Sequence, residues 1–207
     1  MKSATRIPVV LACILCVVSL TNWERCVSAG VKVQSEVPRP AESPPKMVVY
    51  ADSMSSTPYV PSGWMGNQAA IRVDEKCAVN PHEGDTCVKA EYTAPDQWGG
   101  VVWQNPPNDW GDAPGGYNLS GASNLTFWAR GEAGGEKVKF VLGVIKKEKR
   151  YFDTANAELE VELSTEWRQY SIDLTGKDLR RIKTGFGWSV AGQGKSITFY
   201  FDDVKYE

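Results

Sequence analysis

Histidine is nearly absent from this sequence: His82 is the only one. A His-rich zinc site is thereby excluded, and a Ser-His-Asp arrangement would have to be built on His82 alone. The strand-turn-helix nucleophile motif Gly-x-Ser-x-Gly is missing too. A glycosidase needs two carboxylates about 5 to 9.5 Å apart, a separation that no sequence measures. Long apolar runs are scarce: beyond Leu20 none approaches the roughly 20 residues that span a bilayer. Charge of one sign is lacking, with 23 basic against 25 acidic residues. Such a balance gives no general attraction to nucleic acid or to an anionic membrane.

What the chain does have begins with an export pattern. Lys2 and Arg6 precede an apolar run from Ile7 to Leu20, and the small residues Val27 and Ala29 sit where a signal peptidase reads. Residues 1–29 therefore read as a signal peptide of a secreted, periplasmic or extracellular protein. An uncleaved anchor is the alternative, but Thr21, Asn22 and Glu24 cut the run short. Residues 30–46 hold Pro38, Pro40, Pro44 and Pro45 among polar residues and read as an extended linker. Cleavage would leave 20 of the 23 basic and 24 of the 25 acidic residues. Of five cysteines, only Cys77 and Cys87 would remain. Two cysteines in an exported chain point to one disulfide across the loop 78–86. A reactive thiol pair is the alternative and lacks the Cys-x-x-Cys spacing.

Residues 47–207 form one domain, and its signals are β throughout. Strands are expected at 47–50, 69–73, 86–92, 100–104, 124–130, 137–145, 158–163, 168–174, 184–190 and 196–206, with a turn-rich loop at 51–63. Glu158–Leu163 alternates most cleanly, with Leu159, Val161 and Leu163 inward and three glutamates outward. Only 178–183 has the look of a helical turn. Short strands without a crossover helix imply an all-β antiparallel β-sandwich.

The closing stretch Phe199-Tyr-Phe-Asp-Asp-Val204 ends a strand in two adjacent carboxylates. Period two sends Asp202 and Asp203 to opposite faces, so one would point inward and need a cationic partner. This stretch, with the segments 118–131, 166–174 and 181–188, resembles successive landmarks of the galactose-binding-like jelly rolls, the carbohydrate-binding modules of glycoside hydrolases. The resemblance implies a jelly-roll fold, a polysaccharide or oligosaccharide ligand, and a structural calcium. Calcium takes six to eight hard oxygens, and the candidates are Asp52, Asp74, Glu75 and the pair Asp202 and Asp203. Ordinary surface carboxylates are the alternative.

Sugar rings have apolar faces and polar rims, so a binding platform needs an exposed aromatic face with polar neighbours. In the strand 124–130, Leu125, Phe127 and Ala129 form the apolar set, which turns Trp128 outward with Arg130 as its rim partner. Trp103 and Trp188 are further candidates, with ordinary packing the alternative for each. The loops offer Trp98 and Trp110, the latter beside Asn108, Asp109 and Asp112, or else a solvated loop pinned by one buried Trp. Trp167 matches a strand-opening landmark of the resemblance and reads as structural. The cluster Lys146–Arg150 reads as a hairpin tip or an attraction for acidic glycans. The expectation is a carbohydrate-binding protein that does not transform its ligand. An adhesion module that holds a protein partner is the second reading, and a small glycan-cleaving enzyme the third.

Overall fold

The computed structural model describes residues 47–52 and 58–207. The expected signal peptide and linker lie outside the described residues. Eleven strands follow in order: β1 (Met47–Tyr50), β2 (Val60–Gly66), β3 (Ile71–Cys77), β4 (Cys87–Tyr92), β5 (Gly99–Gln104), β6 (Asn124–Gly131), β7 (Lys137–Leu142), β8 (Ala157–Glu162), β9 (Arg168–Asp173), β10 (Thr184–Val190) and β11 (Ile197–Tyr206). One 3-10 turn, Gln68–Ala70, stands between β2 and β3. Among the described residues there is no α-helix, and no helix is long and apolar enough to cross a membrane.

The strands form two antiparallel sheets. The first has the order β3-β4-β11-β6-β9, with β1 also paired to β11; the second has the order β2-β5-β10-β7-β8. Alternation decides what lies between them. Leu125, Phe127 and Ala129 from β6 and Phe199 and Phe201 from β11 meet Trp103 from β5, Phe140 from β7, and Phe186 and Trp188 from β10. Their rings pack largely edge-on, as in Trp103 against Phe201 at 5.5 Å and Trp188 against Phe199 at 5.1 Å. Each such ring removes a large apolar area from water, and together they make one continuous core. The jelly-roll sandwich expectation thus holds.

Three local readings change. Val60–Gly66 is a strand rather than a loop: Pro61 and Gly63 disguise it, yet β2 lies at a sheet edge, where a missing N–H is tolerated, and the register shifts between these two residues. The stretch 178–183 is not helical; its Ile182 forms a β-bridge with Tyr117. Cys77 and Cys87 sit opposite each other in the β3–β4 ladder, and both are buried free thiols rather than a bridge. Burial, and then Cys77 beside it, push the Cys87 thiol up to about 12, so the thiolate that reactivity needs is scarce at neutral pH.

β11 carries the main irregularity. Its pairing with β6 shifts between Asp202 and Lys205, and Asp203 takes a φ of 49°. This is a bulge. Before it Phe199 and Phe201 face the core, and after it Val204 and Tyr206 do. The extra residue therefore keeps the apolar set inward along the whole strand and releases both carboxylates from the two-faced alternation.

Candidate functional site

The sandwich presents two outer faces, and they differ. On the first sheet, Trp128 and Arg130 point away from the core, as alternation requires, but the loop 78–86 lies over them. The His82 ring stacks on Trp128 with centroids 3.8 Å apart and planes 17° from parallel. The Arg130 guanidinium donates to Val79 O at 3.1 Å and lies 3.7 Å over the Tyr200 ring. The Trp167 indole N–H donates to Asn80 O at 3.0 Å. Arg130 is buried and Trp128 half-buried. Both residues fasten a loop and do not form a platform with a polar rim.

The carboxylates gather beneath the same loop. Asp202 is 1% exposed, and its oxygens accept N–H groups from His82 at 3.1 Å and Asp203 at 2.8 Å. Burial, with the neighbouring Asp203 charge adding to it, pushes its carboxyl up to about 6. Asp203 Oδ2 lies 2.9 Å from His82 Nδ1. Asp52 accepts the backbone N–H of Thr86 at 2.7 Å and its hydroxyl at 2.8 Å. Burial raises the Tyr50 phenol, with the charges of Asp202 and Asp52 adding to it, and the hydroxyl itself meets Glu75 O and Thr86 Oγ1. Asp74 stays apart, exposed and capping the N–H of Lys76. The Glu75 carboxylate is taken by the core side, accepting the Trp103 indole N–H at 3.3 Å, while its carbonyl accepts the Tyr50 hydroxyl at 2.9 Å. Among the described residues one group has ligand atoms within 4.8 Å of one another, His82, Glu83 and Asp203.

Among the described residues the second sheet is open near Trp98. Its ladder aligns Met65, Gly100, Ser189, Lys139 and Glu160 in one outward row across β2, β5, β10, β7 and β8. Trp98, immediately before β5, is 53% exposed. It borders an open groove of about 390 Å³ lined by Lys137, Lys139, Glu160, Ser189 and Gln193. The platform is pre-positioned, because Trp98 O accepts the Asn67 N–H at 2.9 Å and the neighbouring Gln97 side chain accepts from Asn67 at 2.7 Å. Gln193 is fixed by a two-way bond to the backbone of Lys137, at 3.0 and 2.8 Å. An aromatic face beside donors and acceptors on rigid strands is the arrangement a sugar ring requires.

The loop 105–117 is pinned by polar groups. Asp109 accepts the N–H groups of Gly111, Asp112 and Ala113 and pairs with the buried Lys183 ammonium. Burial alone would raise the Asp109 carboxyl, but Lys183 and these N–H groups outweigh it and hold it below the usual range. Asn105 donates to Pro58 O and Tyr117 Oη and accepts from Gly116. Trp110 is half-buried in this loop.

A family model described as carbohydrate binding domain 30 matches residues 46–207, well over half of the chain. The chain belongs to that family. A family 30 carbohydrate-binding module of a cellulosomal cellulase from Clostridium thermocellum superposes with a TM-score of 0.58 at 16% identity, over 79% of this chain and 97% of that one. A family 11 module of another cellulosomal cellulase from the same organism gives 0.54 at 15% identity, over 80% and 95%. A family 11 module in complex with a β-1,3-1,4-mixed-linked tetrasaccharide gives 0.51 at 13% identity, over 78% and 94%. At such identities the likeness shows the fold. No curated protein matches the chain.

Within this family 30 domain the aromatic candidates separate by burial. Trp103 and Trp188 are both 0% exposed, so the core takes them and they offer no face to a ligand. The Trp103 indole turns inward, packing edge-on to Phe186 and Phe201. Trp128 faces outward and is stacked by His82, Trp110 is half-buried, and Trp98 alone among these candidates is exposed. Lys137, Lys139 and Gln193, which line the groove beside Trp98, were not among the candidates read from residues. The outward glutamates of β8 were the one signal that pointed to this face.

Proposed function

We propose that this family 30 domain binds a polysaccharide across the outer face of its second sheet and does not cleave it. Trp98 is the stacking platform, and Lys137, Lys139, Glu160, Ser189 and Gln193 form the polar rim. The observation that carries this reading is the exposed, backbone-fixed indole beside an open groove with convergent polar groups. The module acts outside the cell once residues 1–29 are removed.

A structural calcium belongs to the same proposal, held by Asp52, Asp202 and Asp203 at the bulged end of β11. Carboxylate oxygens are the donors calcium takes, although Thr86 already holds Asp52, backbone N–H groups hold Asp202, and of the three only Asp203 belongs to the described group with ligand atoms within 4.8 Å of one another. An equilibrium melt with chelator at matched ionic strength checks the ion: a lower melting temperature is expected, and no change counts against it.

Calorimetric titration against soluble β-glucans, mannans and xylans tests the binding claim. Saturable binding to at least one is expected. Trp98→Ala should weaken it by about ten- to a hundredfold, about 1.4 to 2.7 kcal/mol. Silence across the panel, or an unaffected Trp98→Ala variant, sinks the reading.

A further inference from the structure

A second polar cleft lies away from Trp98. Arg150, Phe152, Thr154, Arg180 and Arg181 line an open space of about 780 Å³ beside a short glycine turn, and no lining residue is acidic. The chain as a whole is slightly acidic, with a formal net charge of −2, so three guanidinium groups around one cleft are a local concentration of the opposite sign.

Their partners show what is left over. Arg180 forks onto Asp178 at 2.9 and 2.8 Å and is thereby largely neutralised. Arg181 uses only its Nε, donating to Phe152 O at 2.9 Å, and stacks 4.7 Å over the Phe152 ring. Arg150 lies 5.2 Å over the Tyr151 ring and makes no hydrogen bond or ion pair among the described residues. Asp178 lies near enough to feel the Arg181 charge, but neither Arg150 nor Arg181 forms an ion pair with a carboxylate among the described residues, which leaves their terminal N–H forks for a ligand. Arg181 is also held in place: its N–H donates to Thr154 Oγ1 at 3.1 Å, and its carbonyl accepts the Thr154 N–H at 2.9 Å. Little side-chain order remains to be lost on binding.

We propose that this cleft binds an anionic saccharide through a carboxylate or sulfate group. A planar fork matches two oxygens of either oxyanion, and the space exceeds what a bare ion fills. Thr154 also lines the groove that runs past Val141 and Glu158 on the second sheet, so the cleft opens beside a face able to carry a chain of sugars. The arginines act independently of Trp98, which is absent from the lining.

The test titrates the protein with oligogalacturonate, with a sulfated oligosaccharide and with inorganic sulfate, at low and at high salt. One of the two saccharides should bind saturably, and which one binds identifies the oxyanion. Arg150→Ala and Arg181→Ala should each weaken that binding about tenfold, while leaving the binding of a neutral glycan at Trp98 within twofold. Arg150 is exposed, so its variant should keep the fold, and a melting temperature measured beside it checks this. The proposal fails if neither saccharide binds saturably, or if binding ignores both arginine variants. It also fails if inorganic sulfate binds as tightly as the saccharides, which would leave an ion site without sugar contact.

Discussion

Asp203 occupies a backbone conformation, φ of 49°, that few side chains other than Asn, Asp and Gly accept. The bulge needs that conformation, and the side chain then reaches His82. Asp203→Val adds a β-branched carbon to a left-handed residue and removes the His82 contact. A loss of about 2 kcal/mol is expected in urea unfolding, against a smaller loss for Asp203→Gly, which keeps the backbone at ease. Equal losses would mean that the side-chain contact dominates. Glu75 gives a separate test by pH. Burial raises its carboxyl above the ordinary value, with the Trp103 indole N–H opposing the shift. A raised carboxyl binds its proton more tightly folded than unfolded, so its contribution to stability is present at low pH. That contribution fades as pH rises through the folded value. Glu75→Gln retains an acceptor for the indole and cannot ionise. Its stability should therefore fall less than that of the parent between about pH 4 and neutrality, as read from denaturant melts across that range.

The loop 78–86 works as an element by joining three strands that are far apart in sequence. It caps Asp202 in β11, stacks on Trp128 in β6, and takes the Trp167 indole N–H just before β9. Its ends are the two facing cysteines of β3 and β4. Trp128→Ala should therefore lower stability by about 2 kcal/mol and leave glycan affinity within twofold, by melts and titration together. A large affinity loss at constant stability would return Trp128 to the binding site. Oxidation of Cys77 and Cys87 should add about 2 to 3 kcal/mol by shortening the unfolded chain's freedom. Thiol titration under denaturing, non-reducing conditions decides the redox state of exported protein, where two titratable thiols rule out the bridge. The outward direction of Trp128 was legible from Leu125, Phe127 and Ala129. Its cover was not, because period two orders a strand's own faces and says nothing of a loop that crosses from another pair of strands. The Asp202–Asp203 pair misled for a related reason: alternation assumes a regular ladder, and one left-handed residue breaks it.

At the scale of the molecule, the two sheets share one core but expose different chemistry. Most strands, and the sandwich they imply, could be read from alternation and turn residues. β2 could not, since Pro61 and Gly63 are poor strand formers that an edge tolerates. The burial of Trp103 and Trp188 depends on how two sheets face each other, which local pattern does not contain. That same asymmetry yields a whole-molecule prediction. If ligand lies on the second sheet, backbone amide NMR signals of residues 98–100, 137–139 and 189–193 should shift on titration with a bound oligosaccharide. Those of residues 126–130 and 198–202 should stay in place, because they lie beneath the loop on the opposite side of a close-packed core. Hydrogen exchange should show the same division, with added protection confined to the first set. Shifts concentrated at 126–130 would instead require the loop 78–86 to lift from Trp128, and would move the glycan to the first sheet.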